Sequence, residues 1–174
     1  MMALKRYLLA LMREKRQTYN AIFTLTANAL GLCLQGESKM NQRDAENILH
    51  DLFASLTNPA IPTENLASFF TRDYIQIVDG ETLDLDGFLQ HAATLRNALI
   101  RAEVSFEKII AQDDTIADIH IVRAEKKNGD HIRVKVIAFY TLRDGRISRI
   151  EELTHLLDGK DEDRDLGSRI DVPE

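Results

Sequence analysis

The sequence predicts an α+β fold in which helices come first and an antiparallel sheet follows. Before residue 100 the apolar residues recur with the period of an α-helix, and beyond Ile100 they recur at every second position, as in strands. The pairs Asn128-Gly129 and Asp144-Gly145 then divide the second half into segments of strand length. Such pairs favour two-residue hairpin turns, because both residues tolerate a positive φ. Helices followed by an antiparallel meander is the order typical of the α+β class.

The first half of the chain predicts three helices and one strand. Asn58, Pro59 and Pro62 end the first helical pattern, since proline lacks the amide hydrogen that a helix interior uses. Asp84 or Asp86 can cap the third helix by accepting a hydrogen bond from its first turn. The predicted elements are helices at residues 41–56, 64–70 and 85–99 and a strand at residues 73–78.

The second half predicts four consecutive antiparallel strands, whose register follows by counting outward from the hairpin turns. If both turns have two residues, Lys127 lies opposite Asp130 and Arg143 lies opposite Arg146. This count assigns alternate residues of the last three strands to the same face of the sheet. The predicted strands run near residues 101–112, 115–127, 130–143 and 146–157.

One predicted face combines an apolar middle strand with ionisable residues, so helices are expected to cover it. Covered charges are costly unless they are paired or border a wet cavity. A few convergent ionisable groups above an apolar floor are typical of a small-molecule pocket. The alternative is that Arg149 and Glu151 only pair with each other, or that His155 and Arg123 lie at the rim of the sheet in water. The ionisable residues of this face are Arg123, Arg149, Glu151 and His155.

The opposite predicted face carries more apolar surface than a monomer needs. Ile137, Phe139 and Ile150 fall on it, and exposed apolar patches mark interaction sites. We therefore expect a homodimer that forms through this outer face. His120 falls on the same face by this count and is interpreted as an outer-face residue.

Composition excludes several classes of protein. The formal net charge is −6, and Lys and Arg do not cluster beyond the N-terminus, which argues against a nucleic-acid partner. No apolar run reaches the roughly 18 residues of a membrane span. Cys33 is the single cysteine, and no Cys or His cluster has the spacing of a zinc site. We expect a cytoplasmic protein with no membrane contact, no metal and no organic cofactor.

Both ends of the chain differ from its middle. In residues 1–39 a long basic stretch precedes an apolar run that polar residues interrupt, a poor match to a secretory signal. We expect a weakly structured or helical extension, and an upstream mis-start before Met40 is the alternative. The predicted organisation is an extension at residues 1–39, one domain at residues 40–158 and a polar tail at residues 159–174.

Three segments resemble the SnoaL-like bacterial branch of the nuclear transport factor 2-like superfamily. They are FFTRDYIQIVDG at Phe69 to Gly80, DGFLQHAATLR at Asp86 to Arg96, and VKVIAFYTLRDGRISRIEELTHLLDG at Val134 to Gly159. The resemblance implies a cystatin-like, cone-shaped barrel, a strongly bent sheet whose pocket is closed by helices, and frequent dimerisation through the outer sheet surface. The superfamily includes polyketide cyclases, ketosteroid isomerases, dehydratases and epoxide hydrolases, so the fold does not fix the chemistry.

The resemblance also bears on individual residues. SnoaL-like cyclases carry an acid/base carboxylate on the last strand, where this sequence has His155, with Glu151 earlier on the same predicted face. The expected aspartate is absent. The predicted catalytic residues are Glu151 or His155 as base, Tyr140 as hydrogen-bond donor, and Arg149 or Arg123 as anion stabiliser. The predicted ligand-binding residues are Tyr74, Gln76, Arg123, Val136, Ala138 and Leu153.

Two functions stay open at this point. The first is a small acid/base enzyme of isomerase, cyclase, dehydratase or hydrolase type that acts on a hydrophobic substrate. The second is a binding protein without catalysis, whose pocket holds a small apolar molecule. A strongly shifted pKa inside the pocket would favour the enzyme.

Overall fold

A computed structural model describes residues 40–170, so the predicted extension at residues 1–39 and the last four residues lie outside the described part. The helices are α1 (Gln42–Thr57) and α2 (Leu85–Ala98), with short 3₁₀ helices at Thr63–Phe69 and Asp161–Asp163. The strands are β1 (Phe70–Val78), β2 (Glu81–Asp84), β3 (Leu99–Gln112), β4 (Thr115–Lys126), β5 (His131–Arg143) and β6 (Arg146–Asp158).

The helices begin where the sequence predicts them. Asn41 caps α1, since its Oδ1 accepts a hydrogen bond from the Asp44 amide at 2.9 Å. Asp84, one of the two predicted caps, accepts from the Gly87 amide at 2.9 Å and starts α2. The predicted α+β class and the position of each predicted helix are therefore confirmed.

The strands form one open, curved sheet in the order β2-β1-β6-β5-β4-β3. β1 and β6 are parallel, and the other neighbours are antiparallel. Irregular register in β1, β3 and β6 bends the sheet, because an extra residue increases the local bend and twist of a strand. The sheet ends at β2 and β3 and does not close, so the expected cone-shaped barrel is wrong in this respect.

The turn between β4 and β5 differs from the predicted two-residue type. The Gly129 amide donates to the Lys126 carbonyl at 2.9 Å, and the Lys126 amide donates to the Asp130 carbonyl at 2.8 Å. Gly129 has φ +87°, whereas Asn128 is not in the positive region. This is a three-residue loop that ends in a left-handed glycine. Lys127 therefore does not lie opposite Asp130, and β4 is displaced by one residue against β5.

The hairpin between β5 and β6 starts as predicted and then changes register. Arg143 lies opposite Arg146, and Leu142 lies opposite Ile147, but Thr141 lies opposite Arg149. Ser148 is the extra residue of a bulge, and its Oγ donates to the Thr141 carbonyl at 3.1 Å. From Arg149 to Leu156, the side chains of β6 therefore lie on the faces opposite to the predicted ones.

Because of these two displacements, the side chains of β4 and of residues 149–156 of β6 lie on the faces opposite to those predicted, whereas the side chains of β5 lie as predicted. On β5, Val134, Val136, Ala138, Tyr140 and Leu142 are buried on the concave face beneath the helices. The prediction that Arg149, Glu151 and His155 share that face is wrong. Residues placed on the convex outer face, against expectation, are Arg123, Arg149, Glu151, Leu153 and His155. Residues placed on the concave face, against expectation, are Asp118, His120, Ile150, Glu152 and Thr154.

The core fills the space between the concave face and the helices, with side chains such as Leu49, Leu52 and Phe88. Arg96 of α2 ties the end of α1 in place. Its guanidinium donates to the carbonyl oxygens of Ser55 at 2.7 Å, Leu56 at 3.0 Å and Ile61. These carbonyls lie at and beyond the C-terminal end of α1, where helical partners are missing.

Residues 159–170, which we call the strap, pack onto the domain instead of forming the expected solvated polar tail. Asp163 is buried, and it accepts two hydrogen bonds from the Lys126 ammonium, at 2.9 and 3.2 Å. The Ile170 carbonyl accepts from the Thr94 hydroxyl of α2 at 2.8 Å. Leu166 joins the hydrophobic core. The acidic residues of the strap are therefore partly structural.

Gly167→Ala should destabilise the protein by about 1–3 kcal/mol, the usual cost of overpacking. A Cβ atom at this position would lie 2.8 Å from Val78 Cγ2 and 2.9 Å from Thr154 Cγ2, so the strap must move away from the sheet. Thermal unfolding should show a Tm lower by several degrees. Ser168→Ala is the control and should leave Tm unchanged. An unchanged Tm in both variants would mean that the strap is not held against the sheet.

Candidate functional site

A cavity of about 150 Å³ lies between the concave face of the sheet and the helices. Its walls are mainly apolar and come from α1, α2, the sheet and the strap. An apolar cavity of this order holds a molecule the size of benzene, so a small cyclic ligand fits. Apolar residues that line it include Leu52, Phe53, Leu56, Phe88, Leu95, Val122, Val134, Val136, Ile150 and Leu166.

Asp118, His120 and Tyr140 form a buried polar cluster at one side of this cavity. The His120 Nδ1 atom lies 3.1 Å from both carboxylate oxygens of Asp118. The Tyr140 hydroxyl donates to Asp118 Oδ2 at 3.4 Å, and burial holds the pKa of this tyrosine well above its ordinary value. Since a carboxylate accepts, the Nδ1 atom of His120 donates to Asp118, and in the neutral form of the ring Nε2 is the lone-pair nitrogen.

The free nitrogen of His120 is open to the cavity. His120 lines the cavity, and its ring packs against that of Phe53 with centroids 4.8 Å apart. Within residues 40–170 the Nε2 atom makes no hydrogen bond, yet it is not among the enclosed side-chain atoms that lack one. It is therefore reachable from the cavity that the residue lines. An imidazole held in one tautomer by a carboxylate is a common arrangement for a general base.

Tyr74, Gln76 and Glu152 form a second polar cluster, on β1 and β6. The Tyr74 hydroxyl donates to Gln76 Oε1 at 3.2 Å, and Gln76 Nε2 donates to Glu152 Oε1 at 2.8 Å. Gln76 and Glu152 both line the cavity, whereas Tyr74 lies behind them against Phe70 and Phe88. The amide of Gln76 thus fixes one oxygen of the Glu152 carboxyl and leaves the other without a side-chain donor among the described residues.

Burial raises the pKa of Glu152 from 4.5 to about 7. Loss of solvation is the largest cause, and the nearby carboxylates of Asp118 and Asp79 add to it. The hydrogen bond from Gln76 acts in the opposite direction, as does the positive charge of His120 when that ring is protonated. A carboxyl group with this pKa exchanges its proton near neutral pH, which is the property required of a general acid or base.

The register of the sheet places the two clusters on opposite sides of a small residue. Asp118 on β4 and Glu152 on β6 both lie opposite Ala138 of β5. Two strand spacings, roughly 10 Å, separate their backbones. Because Ala138 is buried and has a small side chain, the side chains on both sides can approach a ligand that lies over β5. The arrangement can accept a proton on one side of a ligand and donate one on the other.

Of the residues predicted for the site, four lie at the cavity or in contact with its polar groups, and one lies beneath it. Tyr140, Gln76 and Val136 line the cavity, Tyr74 supports Gln76, and Ala138 lies in the floor beneath.

The remaining predicted residues lie on the outer face. Arg149 and Glu151 form an exposed ion pair, with Nη2 and Oε1 3.0 Å apart, and the Arg149 guanidinium lowers the pKa of Glu151. This pairing is the alternative that the sequence left open for the two residues. Arg123 donates to the Ser105 hydroxyl at 2.9 Å, Leu153 is 67% exposed, and His155 is exposed.

A signal for the missed residues was present in the sequence. Ile147 and Ile150 are both buried but lie three positions apart in one strand, and this odd spacing indicates a bulge between them. An Asn-Gly pair also fits a three-residue loop that ends in glycine. Together these two features assign His120 and Glu152 to the same face as Tyr140.

Two further observations concern metal ions and membranes. Across residues 40–170, no three His, Cys, Asp or Glu side chains are arranged to hold a metal ion. No helix in the same range has both the length and the apolar character to cross a membrane.

An open curved sheet with helices over an acid/base-lined pocket defines a pocket protein of the nuclear transport factor 2-like kind. The family model described as "SnoaL-like domain" matches residues 50–150, and the chain belongs to this family. It is 44% identical over 126 residues to the uncharacterized protein C11D3.04c of Schizosaccharomyces pombe, a match that covers 72% of this chain and 97% of the relative. The resemblance inferred from the sequence is therefore confirmed.

Solved structures support the same fold at low sequence identity. IdmH, a candidate polyketide cyclase of Streptomyces antibioticus, is 14% identical and has a TM-score of 0.57, covering 74% of this chain and 98% of its own. A nuclear transport factor 2-like protein of unknown function from Exiguobacterium is 18% identical with a TM-score of 0.54, covering 64% of this chain and 98% of its own. At these identities the likeness shows the fold alone.

Glu152→Gln should stabilise the protein above pH 7 and have little such effect near pH 5. Between pH 4.5 and about 7 the folded protein keeps a proton on Glu152 that the unfolded chain releases. The free energy of unfolding therefore falls as pH rises through this window, by at most about 3 kcal/mol. Glutamine cannot ionise, and its carbonyl can still accept from Gln76.

Urea denaturation of both proteins between pH 5 and pH 8 measures this difference. Glu151→Gln is the matched control, because the neighbouring carboxylate lies on the outer face and its pKa is lowered instead. A stability difference between Glu152→Gln and the wild type that does not change with pH would contradict the raised pKa.

Proposed function

We propose that this protein catalyses proton transfer on a small hydrophobic carbonyl compound, without a metal or an organic cofactor. The observation that carries the proposal is that two proton-exchanging groups, His120 and Glu152, line one apolar cavity from opposite sides of β5. IdmH, a protein of the same fold, is a candidate cyclase for polyketides, which are carbonyl compounds, and this agrees with the proposal.

His120 is the base in this proposal. Asp118 holds the proton on Nδ1, so Nε2 presents its lone pair to the cavity. It takes a proton from the carbon next to the carbonyl group of the substrate. The electron pair of that C–H bond forms a C=C bond, and the carbonyl π electrons move to the oxygen. Asp118 then stabilises the imidazolium that results, since it is the partner of the ring on the other side.

Glu152 is the acid. Gln76 donates to its Oε1 atom, which leaves Oε2 to carry the proton. This proton passes to the developing oxygen anion and completes an enol, while Glu152 becomes a carboxylate. With a β,γ-unsaturated carbonyl substrate the enol is a dienol. His120 returns its proton to the γ-carbon, the carbonyl re-forms as the enol hydroxyl gives its proton back to Glu152, and the conjugated isomer leaves with both groups restored. Because the pKa of Glu152 is about 7, the acid form is present below pH 7, and activity should decline above it.

The proposal can be tested by deuterium exchange at the carbon beside the carbonyl of 1-indanone, followed by ¹H NMR in D₂O. The wild type should accelerate exchange, and His120→Gln should lower the accelerated rate by about 100-fold, the typical contribution of a general base. Glu152→Gln should exchange more slowly than the wild type and lose the decline above pH 7.

Glu151→Gln is the matched control and should exchange at the wild-type rate, because its side chain is on the outer face. Wild-type exchange no faster than without protein, with 1-indanone shown by NMR to be bound, would leave the protein as a binder without catalysis, the alternative that the sequence left open. Accelerated exchange that is equal in the wild type and His120→Gln would reject His120 as the base.

We also propose that a second copy of the chain covers the outer face of the sheet. Ile137 is 47% exposed, Phe139 is 54% exposed and Leu153, opposite Ile137, is 67% exposed. They form an apolar patch beside the Arg149–Glu151 ion pair. Ile150, expected at this interface from the sequence, is buried on the concave face and has no part in it.

Phe139→Glu should convert the homodimer into monomers, because a carboxylate buried at the interface would have no partner. Phe139→Leu keeps the surface apolar and should remain dimeric. Sedimentation velocity at micromolar to high micromolar concentrations distinguishes the two states. A wild type that is monomeric throughout this range would exclude the dimer.

A further inference from the structure

His91 of α2 is a buried histidine to which the proton-transfer scheme gives no role. It lines the cavity and is only 5% exposed. Its Nδ1 atom lies 2.7 Å from the carbonyl oxygen of Arg169 in the strap. A carbonyl oxygen can only accept, so Nδ1 must carry a hydrogen and donate it. The tautomer of this ring is therefore fixed by the backbone of the strap.

The other nitrogen of the ring is available to a ligand. Within the described residues, Nε2 of His91 makes no hydrogen bond, and it is not among the enclosed atoms that lack one. Burial lowers the pKa of His91, so the ring is neutral and Nε2 presents a lone pair. The charged groups that act on it are Arg169 and Asp165, which pair with each other.

His91 lies where the strap closes the cavity. Leu166 and Gly167 of the strap line the cavity wall, and the carbonyl of Arg169 follows two residues later to hold the ring. His91 comes from the helical side of the cavity, whereas His120 and Glu152 come from the sheet. A ligand whose carbonyl group contacts His120 and Glu152 can thus place a second polar group beside His91.

We propose that His91 Nε2 accepts a hydrogen bond from a hydroxyl or N–H group of the ligand, so the pocket selects small ring compounds that carry such a donor. The residue determines specificity and transfers no proton. This proposal rests on the proposed function for the carbonyl end of the substrate, and it extends the substrate class to hydroxylated or amino-substituted cyclic carbonyl compounds. Sites built to accept from a ligand donor reject analogues without it, since the acceptor is then left unpaired.

The test uses two probes of nearly equal shape, 4-methylphenol and p-xylene, which differ by a hydroxyl in place of a methyl group. Calorimetry gives the ratio of their dissociation constants for each protein. His91→Asn keeps an amide N–H near the position of Nδ1 for the Arg169 carbonyl but lacks the distal nitrogen. It should lower the preference for 4-methylphenol by roughly tenfold, the value of about one net hydrogen bond.

Thr94→Val is the matched control. It removes the hydrogen bond from the Thr94 hydroxyl to the Ile170 carbonyl, so it loosens the strap without changing the acceptor, and the preference should stay as in the wild type. An equal loss in both variants, an unchanged preference in His91→Asn, or a wild type that binds neither probe would overturn the proposal.

¹⁵N NMR of the wild type provides a second measurement that does not depend on a variant folding. The Nε2 resonance of His91 should have the shift of an unprotonated nitrogen and move when 4-methylphenol is added but not when p-xylene is added. A protonated Nε2 in the free protein would overturn the proposal. If the wild type does not accelerate exchange in 1-indanone but prefers 4-methylphenol over p-xylene through His91, the proton-transfer function alone is rejected. If exchange is accelerated but His91→Asn does not change the preference, the role of His91 alone is rejected.

Discussion

The pocket depends on the register of β5 against its two neighbours. Side chains alternate between the faces of a strand, so a displacement of one residue moves a whole strand's set to the other face. The three-residue loop at Gly129 sets this register for β4, and the bulge at Ser148 sets it for β6. With both in place, Asp118 and Glu152 lie on either side of Ala138 beneath the helices. Without either one, the cavity would lose an entire polar cluster.

In both polar clusters, hydrogen bonds between the members offset part of the cost of burying them and leave other polar atoms available to a ligand. Asp118 receives hydrogen bonds from His120 and Tyr140, and Glu152 receives one from Gln76. Buried polar groups without such partners would destabilise the fold. The partners do not satisfy every atom, since the Nε2 atom of His120 stays open to the cavity. Glu152, with its pKa raised to about 7, is held in an environment that disfavours its charge, which is typical of functional sites.

The strap forms part of the wall of the pocket. The ion pair between Lys126 and the buried carboxylate of Asp163, at 2.9 Å, joins it to the end of β4. Breaking such a pair would leave an uncompensated buried charge, so the strap is held where Leu166 and Gly167 can line the cavity. The strap thus contacts the end of the hairpin between β4 and β5, the wall of the pocket and the imidazole of His91.

The sequence by itself determined the class of fold, the positions of the helices, the alternation that buries one side of β5, and the family. These properties depend on local periods, turn residues and caps, which act over a few neighbouring positions. Tyr140, Gln76 and Val136 were identified as pocket residues for this reason. Only the tertiary structure decided which residues of β4 and β6 join them, because the choice between a two-residue and a three-residue loop, and the bulge at Ser148, depend on which pairing buries more apolar surface. His120 and Glu152 entered the site, and Glu151 and His155 left it, through displacements of a single residue whose energy is set by the whole sheet.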